Sequence, residues 1–281
     1  MNLREINLDL VTNTVSELIF DACCNIGDKE LQKIKEAINI EESLVGKNIL
    51  NQIVENDILA RKLRIPMCQD TGVSVVFLEI GSLVTFKGDI YEAVNKGVRD
   101  AYVNGYLRKS IVANPLTRIN TNDNTPAVIH TKIVEGDKIK IIVAPKGGGS
   151  ENCSLVKMLI PSDGIPGIKK LVLETIFSSG GKPCPPIIVG IGIGGNLEKS
   201  ALLAKEALFR DLDDEADNPE TKKLEKELLK EINDLGVGPM GMGGRVTALA
   251  VKINTYPCHI ASLPVAINLQ CHAARHKTRV I

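Results

Sequence analysis

Three cysteines of this chain stand where a thiolate could do chemistry. Cys68 lies in PMCQDTG, just after a proline and ahead of an apolar run. Cys184 lies in GGKPCPP, where the prolines leave few backbone N–H donors, and Cys271 lies in NLQCHAARH at the end of another apolar run. Each marks a strand–loop boundary, where a rigid support can aim a side chain into a cavity. Three separated thiolates suit a cubane cluster with one iron left without a protein ligand, able to act as a Lewis acid towards a substrate hydroxyl. A single cysteine is more often a small buried apolar residue. That plainer reading fits Cys23, Cys24 and Cys153, while Cys258, followed by His259, stays open. A rival metal site would use Cys271, His272 and His276 as zinc ligands, because the two histidines share a face if that segment is helical.

Polar groups surround these cysteines in the sequence. Gln69 and Asp70 follow Cys68 directly, which puts an amide and a carboxylate beside any metal there. The run Lys146-Gly147-Gly148-Gly149-Ser150 follows an apolar stretch, so its backbone N–H groups could converge on an anion; alone, it is equally a permissive turn. Arg108 ends an amphipathic helix and is either a carboxylate clamp or a helix-end cation. A lone histidine such as His259, before an apolar strand, is more often structural. Gly190, Gly192 and Gly195 form G-x-G-x-x-G between a strand and a helix, and Asp211 follows at about the twenty-residue distance of a dinucleotide site. In that fingerprint the acidic residue caps a second apolar strand. Here Asp211 opens the charged stretch DLDDEADNPETKK, which argues against it.

The scaffold that must position these groups reads as mixed α/β. Residues 1–64 are expected to be mainly helical, with apolar residues at helical spacing through LQKIKEAI and LVGKNILNQIVENDILARKL until Pro66. VSVVFLEI (73–80) reads as a buried strand and IYEAVNKGVRDAYVNGYL (90–107) as an amphipathic helix. AVIHTKIV (127–134) and KIKIIVAP (138–145) read as a hairpin turning at Glu135, Gly136 and Asp137. Helices at 165–178 and from Leu197 to Arg210 flank a strand, PIIVGIG (186–192). The charged stretch begins as loop and continues as a solvated helix stopped by Gly236. VTALAVKI (246–253) and IASLPVAINL (260–269) close the chain as strands. The expectation is one domain over 1–281, a mixed sheet with helices and a helical N-terminal portion, 65–281 being mixed α/β.

The bulk composition narrows the function. Thirty-four basic and 34 acidic side chains cancel, so neither nucleic acid nor an acidic membrane surface is expected as partner. An anionic substrate must then be held by local cations. Tryptophan is absent and aromatics make up 3%, which weakens any base-stacking role. No apolar run approaches the roughly 20 residues that span a bilayer, and MNLREINLDLV has no apolar signal core. A cytoplasmic location is expected. The seven cysteines lack the dense regular spacing of a disulfide scaffold and read as thiols or ligands.

At PMCQDTG, LRKS, PKGGGSEN, CPPIIVGIGIGG, GPMGMGG and CHIASLPVA-NLQCHAAR, the chain resembles the alpha region of class I fumarate hydratases and L-tartrate dehydratases. The motifs run in order from about residue 60 to the C-terminus. The resemblance implies a [4Fe–4S] cluster on Cys68, Cys184 and Cys271, and a small-dicarboxylate site lined by Gln69, Asp70, Arg108, Gly148, Gly149 and His259. It implies an iron–sulfur hydro-lyase; at its site Asp70 is the candidate acid/base group, alongside a hydroxyl residue of the other subunit, and His259 would orient a carboxylate or stabilise Asp70. In single-chain members a C-terminal beta region supplies further substrate-binding residues, so a separate beta subunit, in an α2β2 assembly, is expected here. His272 departs from many fumarases at this place, leaving fumarate/malate and tartrate both open as substrates. Two other readings remain beside it: an NAD-dependent oxidoreductase binding at Gly190–Gly195, and a non-catalytic iron–sulfur electron-transfer or sensing protein, which needs a fourth thiolate.

Overall fold

The structure is a computed structural model and describes residues 3–281. In chain order the elements are β1 (Arg4–Glu5), α1 (Leu8–Cys24), α2 (Asp28–Ile40), α3 (Leu44–Leu63), β2 (Val73–Gly81), β3 (Val84–Thr85) and α4 (Ile90–Asn104). Then come β4 (Val128–Val134), β5 (Ile139–Lys146), the single turn α5 (Gly148–Glu151), β6 (Leu155–Leu159), α6 (Gly164–Ser179) and β7 (Ile187–Gly194). The chain closes with α7 (Leu197–Ala207), α8 (Pro219–Asp234), β8 (Ala248–Tyr256), β9 (Leu263–Gln270) and β10 (Lys277–Val280). The mixed α/β class and the helical N-terminal portion agree with expectation. The helical part divides into three, with breaks at 25–27 and 41–43.

Contacts gather the chain into two compact units. The first takes the chain up to Ile26, Asp57–Gly148 and Arg275–Ile281; the second takes Gly27–Asn56 and Gly149–Ala274. In the first unit a four-stranded sheet runs β10-β5-β2-β4. Ile139, Ile141 and Val143 alternate along β5 into a core with Val11, Val15, Leu18 and Ile19 of α1 and Val94 and Val98 of α4, the period-two pattern of a strand meeting the period of a helix. Asn7 caps α1 by accepting the Asp9 N–H, and Asp89 caps α4 by accepting those of Tyr91 and Glu92, as short acceptors do at orphan helix-start donors.

The expected hairpin of 127–134 with 138–145 is corrected. Both strands form, but β2 lies between them, parallel to β4 and antiparallel to β5. The turn at Gly136 therefore crosses over the end of β2, where Leu83 N–H donates to Gly136 O at 2.9 Å. Two apolar runs near a turn signal specify strands but not their partners.

The second unit holds a sheet of order β6-β9-β7-β8. Its central strand β7 is buried along almost all its length, so it reads as a continuous apolar run rather than an alternation. Ile187, Val189 and Ile191 face Ile168, Val172 and Ile176 of α6 and Leu224, Leu228 and Ile232 of α8. Helix α7 lies along the opposite face. Among the described residues no helix is long and apolar enough to cross a membrane.

Candidate active site

The order of the second sheet decides which loops meet. Strand β7 is antiparallel to β9 and parallel to β8, and β6 is antiparallel to β9. The entries to β6, β7 and β8 and the exit of β9 therefore share one end of the sheet. Cys184 lies before β7 and Cys271 follows β9, so the topology brings both to that end. His272 N–H donates to Cys184 O at 3.4 Å, and Met240 N–H donates to Pro185 O at 2.9 Å. The GPMGMGG segment thus supports the Cys184 loop. Cys184 itself has φ +56°, a left-handed conformation rare for a side-chain-bearing residue, held between two prolines.

Gly149 opens the second unit at the same end, since Ser154 Oγ accepts the Leu269 N–H at 3.3 Å. His259 is elsewhere. It sits in the exposed loop entering β9, and its Nδ1 accepts the Ala261 N–H at 3.1 Å. The eight residues of β9 separate it from Cys271 by roughly 25 Å at the usual rise per strand residue. Within this unit the structure does not bring His259 to the two cysteines. Cys258, equally exposed, donates to Ser262 O.

In the first unit Cys68 follows the break after α3, half-buried, with Gln69 exposed beside it. Asp70 is clasped by backbone. Its Oδ1 accepts the Gly72 N–H at 3.0 Å and its Oδ2 accepts the Gly148 N–H at 2.8 Å. Arg275, buried at 4% exposure, donates Nη1 to Asp70 O at 2.6 Å. Gly72 has φ +76°, and a Cβ there would stand 2.4 Å from the Lys146 carbonyl, so only glycine lets the two segments touch. Arg108 is exposed, and its carbonyl is tied to Thr71 Oγ1 at 2.9 Å. Arg275, Thr71, Tyr102 and Asn124 all act on this segment, and the sequence reading singled out none of them.

All seven cysteines lie outside disulfides. Burial pushes the Cys23 thiol up to about 12 and the Cys24 thiol up to about 11, so both stay protonated packing groups within α1, as expected. Cys68, Cys184 and Cys271 are half-buried. Gln270, 7% exposed, donates its amide to Cys271 Sγ at 3.4 Å. Thiols of this kind fit a cluster. Among the described residues, no three His, Cys, Asp or Glu side chains gather around one ion-sized point, as a mononuclear zinc site requires. A cubane spreads its ligands over separate irons.

The glycine fingerprint has a packing role. A Cβ on Gly190 would lie 2.3 Å from Ala204 O, and one on Gly192 would lie 2.0 Å from Ser200 O. Both glycines let α7 lie against β7. The second strand of the crossover, β8, ends at Tyr256 rather than at an acid, and Asp211 instead pairs with Lys29.

The family model described as fumarate hydratase (Fumerase) matches residues 12–280. A Methanocaldococcus jannaschii protein, provisionally named L(+)-tartrate dehydratase subunit alpha, is 45% identical over 278 residues, covering 96% of this chain and 97% of that one. The L(+)-tartrate dehydratase subunit alpha of Escherichia coli strain K12 is 31% identical, covering 99% of this chain and 94% of its own. The protein of the same name from Shigella boydii matches at the same level and coverage.

Proposed function

Because the chain belongs to the fumarate hydratase (Fumerase) family, we propose that it is the alpha subunit of an iron–sulfur hydro-lyase acting on a small 2-hydroxy dicarboxylate. The observation that carries this reading is the 45% identity, over 96% of the chain, to the Methanocaldococcus jannaschii protein provisionally named a tartrate dehydratase alpha subunit. The names of the relatives favour L(+)-tartrate over fumarate or malate, and their description as alpha subunits supports a separate beta chain. An α2β2 assembly is the proposed form, and a reducing cytoplasm is the compartment that suits its thiols.

In this reading Cys68, Cys184 and Cys271 hold a [4Fe–4S] cluster. When bound, the cluster supplies a Lewis-acidic iron without a protein thiolate, easing departure of hydroxide. The protein's own groups do the rest. Arg108 and the Gly149 N–H bind substrate carboxylates and favour the negative charge that develops on them during elimination. Gln69 contributes an amide beside Cys68. Asp70 moves the proton, its carboxylate held in one orientation by the N–H groups of Gly72 and Gly148. Gly148, expected at the substrate, serves here by holding the base. In the reading His259 orients a carboxylate or stabilises Asp70, whose acid/base partner is a hydroxyl residue of the beta chain. Within its own unit His259 lies at the opposite end of β9 from Cys271.

The test is anaerobic reconstitution of the chain with its beta partner, followed by a screen of tartrate, malate and fumarate, read at the enoate or 2-oxo-acid absorbance. Turnover of one diacid is expected only with both subunits present. Nucleotide-dependent oxidation of a hydroxy acid, or no turnover of any diacid by the cluster-loaded pair, would overturn the reading.

A further inference from the structure

Two side chains of the first unit tie the segment carrying Asp70 to the segment carrying Arg108, and a third braces the first segment from α4. Thr71 donates its hydroxyl to Arg108 O at 2.9 Å. Asn124, fully buried, accepts the Ser110 N–H through Oδ1 at 2.7 Å and donates from Nδ2 to Gly72 O at 3.1 Å. Tyr102, buried as well, places its hydroxyl 2.8 Å from Thr71 O and 3.1 Å from Gly72 O. The backbone just after Asp70 is therefore braced from one side by Tyr102, and joined to both flanks of Lys109 by two separate struts.

The residue types fit these duties. Asn124 has φ +64°, a left-handed conformation that asparagine tolerates far better than most residues. Its amide offers one acceptor and one donor side, and each finds a backbone partner of opposite character. The polar atoms of Thr71 and Asn124 are engaged with backbone, so neither is a candidate to touch substrate. The stretch from Gly105 to Ala127 contains no helix or strand beyond an isolated bridge between Val112 and Asn120. Without these struts, little regular structure would hold Arg108 at a set distance from Asp70.

We propose that Asn124 and Thr71 are positioning residues that fix the span between the proton-transfer group Asp70 and the carboxylate clamp Arg108. This rests on the hydro-lyase reading. A small diacid gripped by Arg108 presents its reacting carbon to Asp70 only if that span is held. A misplacement of about 1 Å at a reacting centre can cost on the order of 10²-fold in rate.

The test uses the cluster-loaded two-subunit enzyme carrying Asn124→Gly, Thr71→Val or Thr71→Ser. Glycine accepts the backbone conformation at 124 while deleting the strut, valine keeps the shape at 71 without the hydroxyl, and serine keeps the hydroxyl. kcat and KM for the diacid are measured separately, together with iron and sulfide content, thermal midpoint and a crystal structure of each variant. Asn124→Gly and Thr71→Val are expected to raise KM and lower kcat, with kcat/KM falling on the order of 10²-fold, at full iron content. Thr71→Ser is expected to stay close to wild type, and the crystal structures to show a changed Asp70–Arg108 separation in the first two variants only. Unmoved KM with kcat falling in step with lost iron or lost fold would overturn the proposal. So would Thr71→Ser failing as badly as Thr71→Val. A wild-type enzyme inactive towards every diacid would refute the hydro-lyase reading instead. The positioning claim would then be decided by the crystal structures, an unchanged span in Asn124→Gly overturning it.

Discussion

The Oδ2 oxygen of Asp70 accepts the backbone N–H of Gly148 at 2.8 Å. These residues are 78 positions apart, so the segment after Cys68 and the glycine run form one piece of structure. The other carboxylate oxygen is held by the Gly72 N–H, and the Asp70 carbonyl by Arg275. In the proposed reading Asp70 moves the proton, and such restraint sets its orientation before substrate arrives.

Asp70→Asn should therefore abolish proton transfer while sparing the fold. The amide keeps one acceptor oxygen but turns an NH2 towards one of the two backbone donors. A loss in kcat on the order of 10²–10⁴-fold is expected, with near-normal circular dichroism. The glycine run offers a graded control. A Cβ on Gly147 would stand 3.2 Å from Asp70 Oδ2 and 3.3 Å from Arg275 Nη2, whereas one on Gly148 would stand 3.9 Å from Asp70 Oδ2. Gly147→Ala should lose roughly tenfold or more in kcat, and Gly148→Ala clearly less. Equal effects from the two would refute the clasp as the positioning device.

The proposed cluster ligands Cys68, Cys184 and Cys271 are half-buried, whereas Cys23 and Cys24 are buried; Cys153 is half-buried too and Cys258 is exposed, so exposure alone does not pick out the ligands. Cys68→Ser, Cys184→Ser and Cys271→Ser should each lose iron and sulfide after anaerobic reconstitution. Cys23→Ala should retain them and lose only stability, about 1–2 kcal/mol for a small buried side chain. Activity should decay in air and recover with ferrous iron and thiol, because an iron without a thiolate is open to oxidants. Full activity after hours in air would overturn the proposed open iron, which should be lost under those conditions.

How far the sequence foretold this structure depends on which interactions were at stake. Val73–Gly81 and Ile187–Gly194 were legible because burial on both faces leaves an unbroken apolar run. Leu155–Leu159 was missed because an exposed edge strand with Lys157 at its centre shows no periodicity. Lys277–Val280 was missed because four residues pairing with β5 carry too little pattern. In the site, Cys68, Asp70 and the glycine run stood out as motif residues. Tyr102, Asn124 and Arg275 did not, since each acts on backbone 31, 52 and 205 positions away respectively. No local spacing encodes such a partner.

The glycine fingerprint yields a prediction that divides the enzyme classes. With their missing Cβ atoms facing α7 backbone at 2.3 and 2.0 Å, Gly190→Ala and Gly192→Ala should force α7 off the sheet. Each should cost about 3 kcal/mol or more, as overpacking against rigid backbone does. Neither NAD nor NADP should raise the thermal midpoint of the wild-type enzyme. A nucleotide-induced rise, abolished by a conservative change at Gly195, would restore the oxidoreductase reading.

Glu41 carries the last prediction, and its role shows only in three dimensions. Its carboxylate is 2% exposed and sits in the break between α2 and α3. Oε1 accepts the N–H groups of Glu42, Ser43 and Arg245 at 2.8, 2.8 and 2.9 Å, and Oε2 accepts that of Val246 at 2.8 Å. Burial alone would push this carboxyl up, but the four backbone donors more than reverse it and hold it below the ordinary glutamate range. A folded-state pKa below the unfolded one stabilises the fold above the unfolded value of about 4.3. That contribution is lost as pH falls through the folded-state value. Glu41→Gln turns an NH2 towards a backbone N–H and should cost roughly 2 kcal/mol at pH 7, with Glu41→Ala worse because it orphans four donors. The gap between wild type and Glu41→Gln, measured by urea unfolding of identically prepared chains, should narrow as pH is lowered from 5 towards 3. A gap that stays constant across that range would mean that the ionised carboxylate contributes nothing beyond its shape.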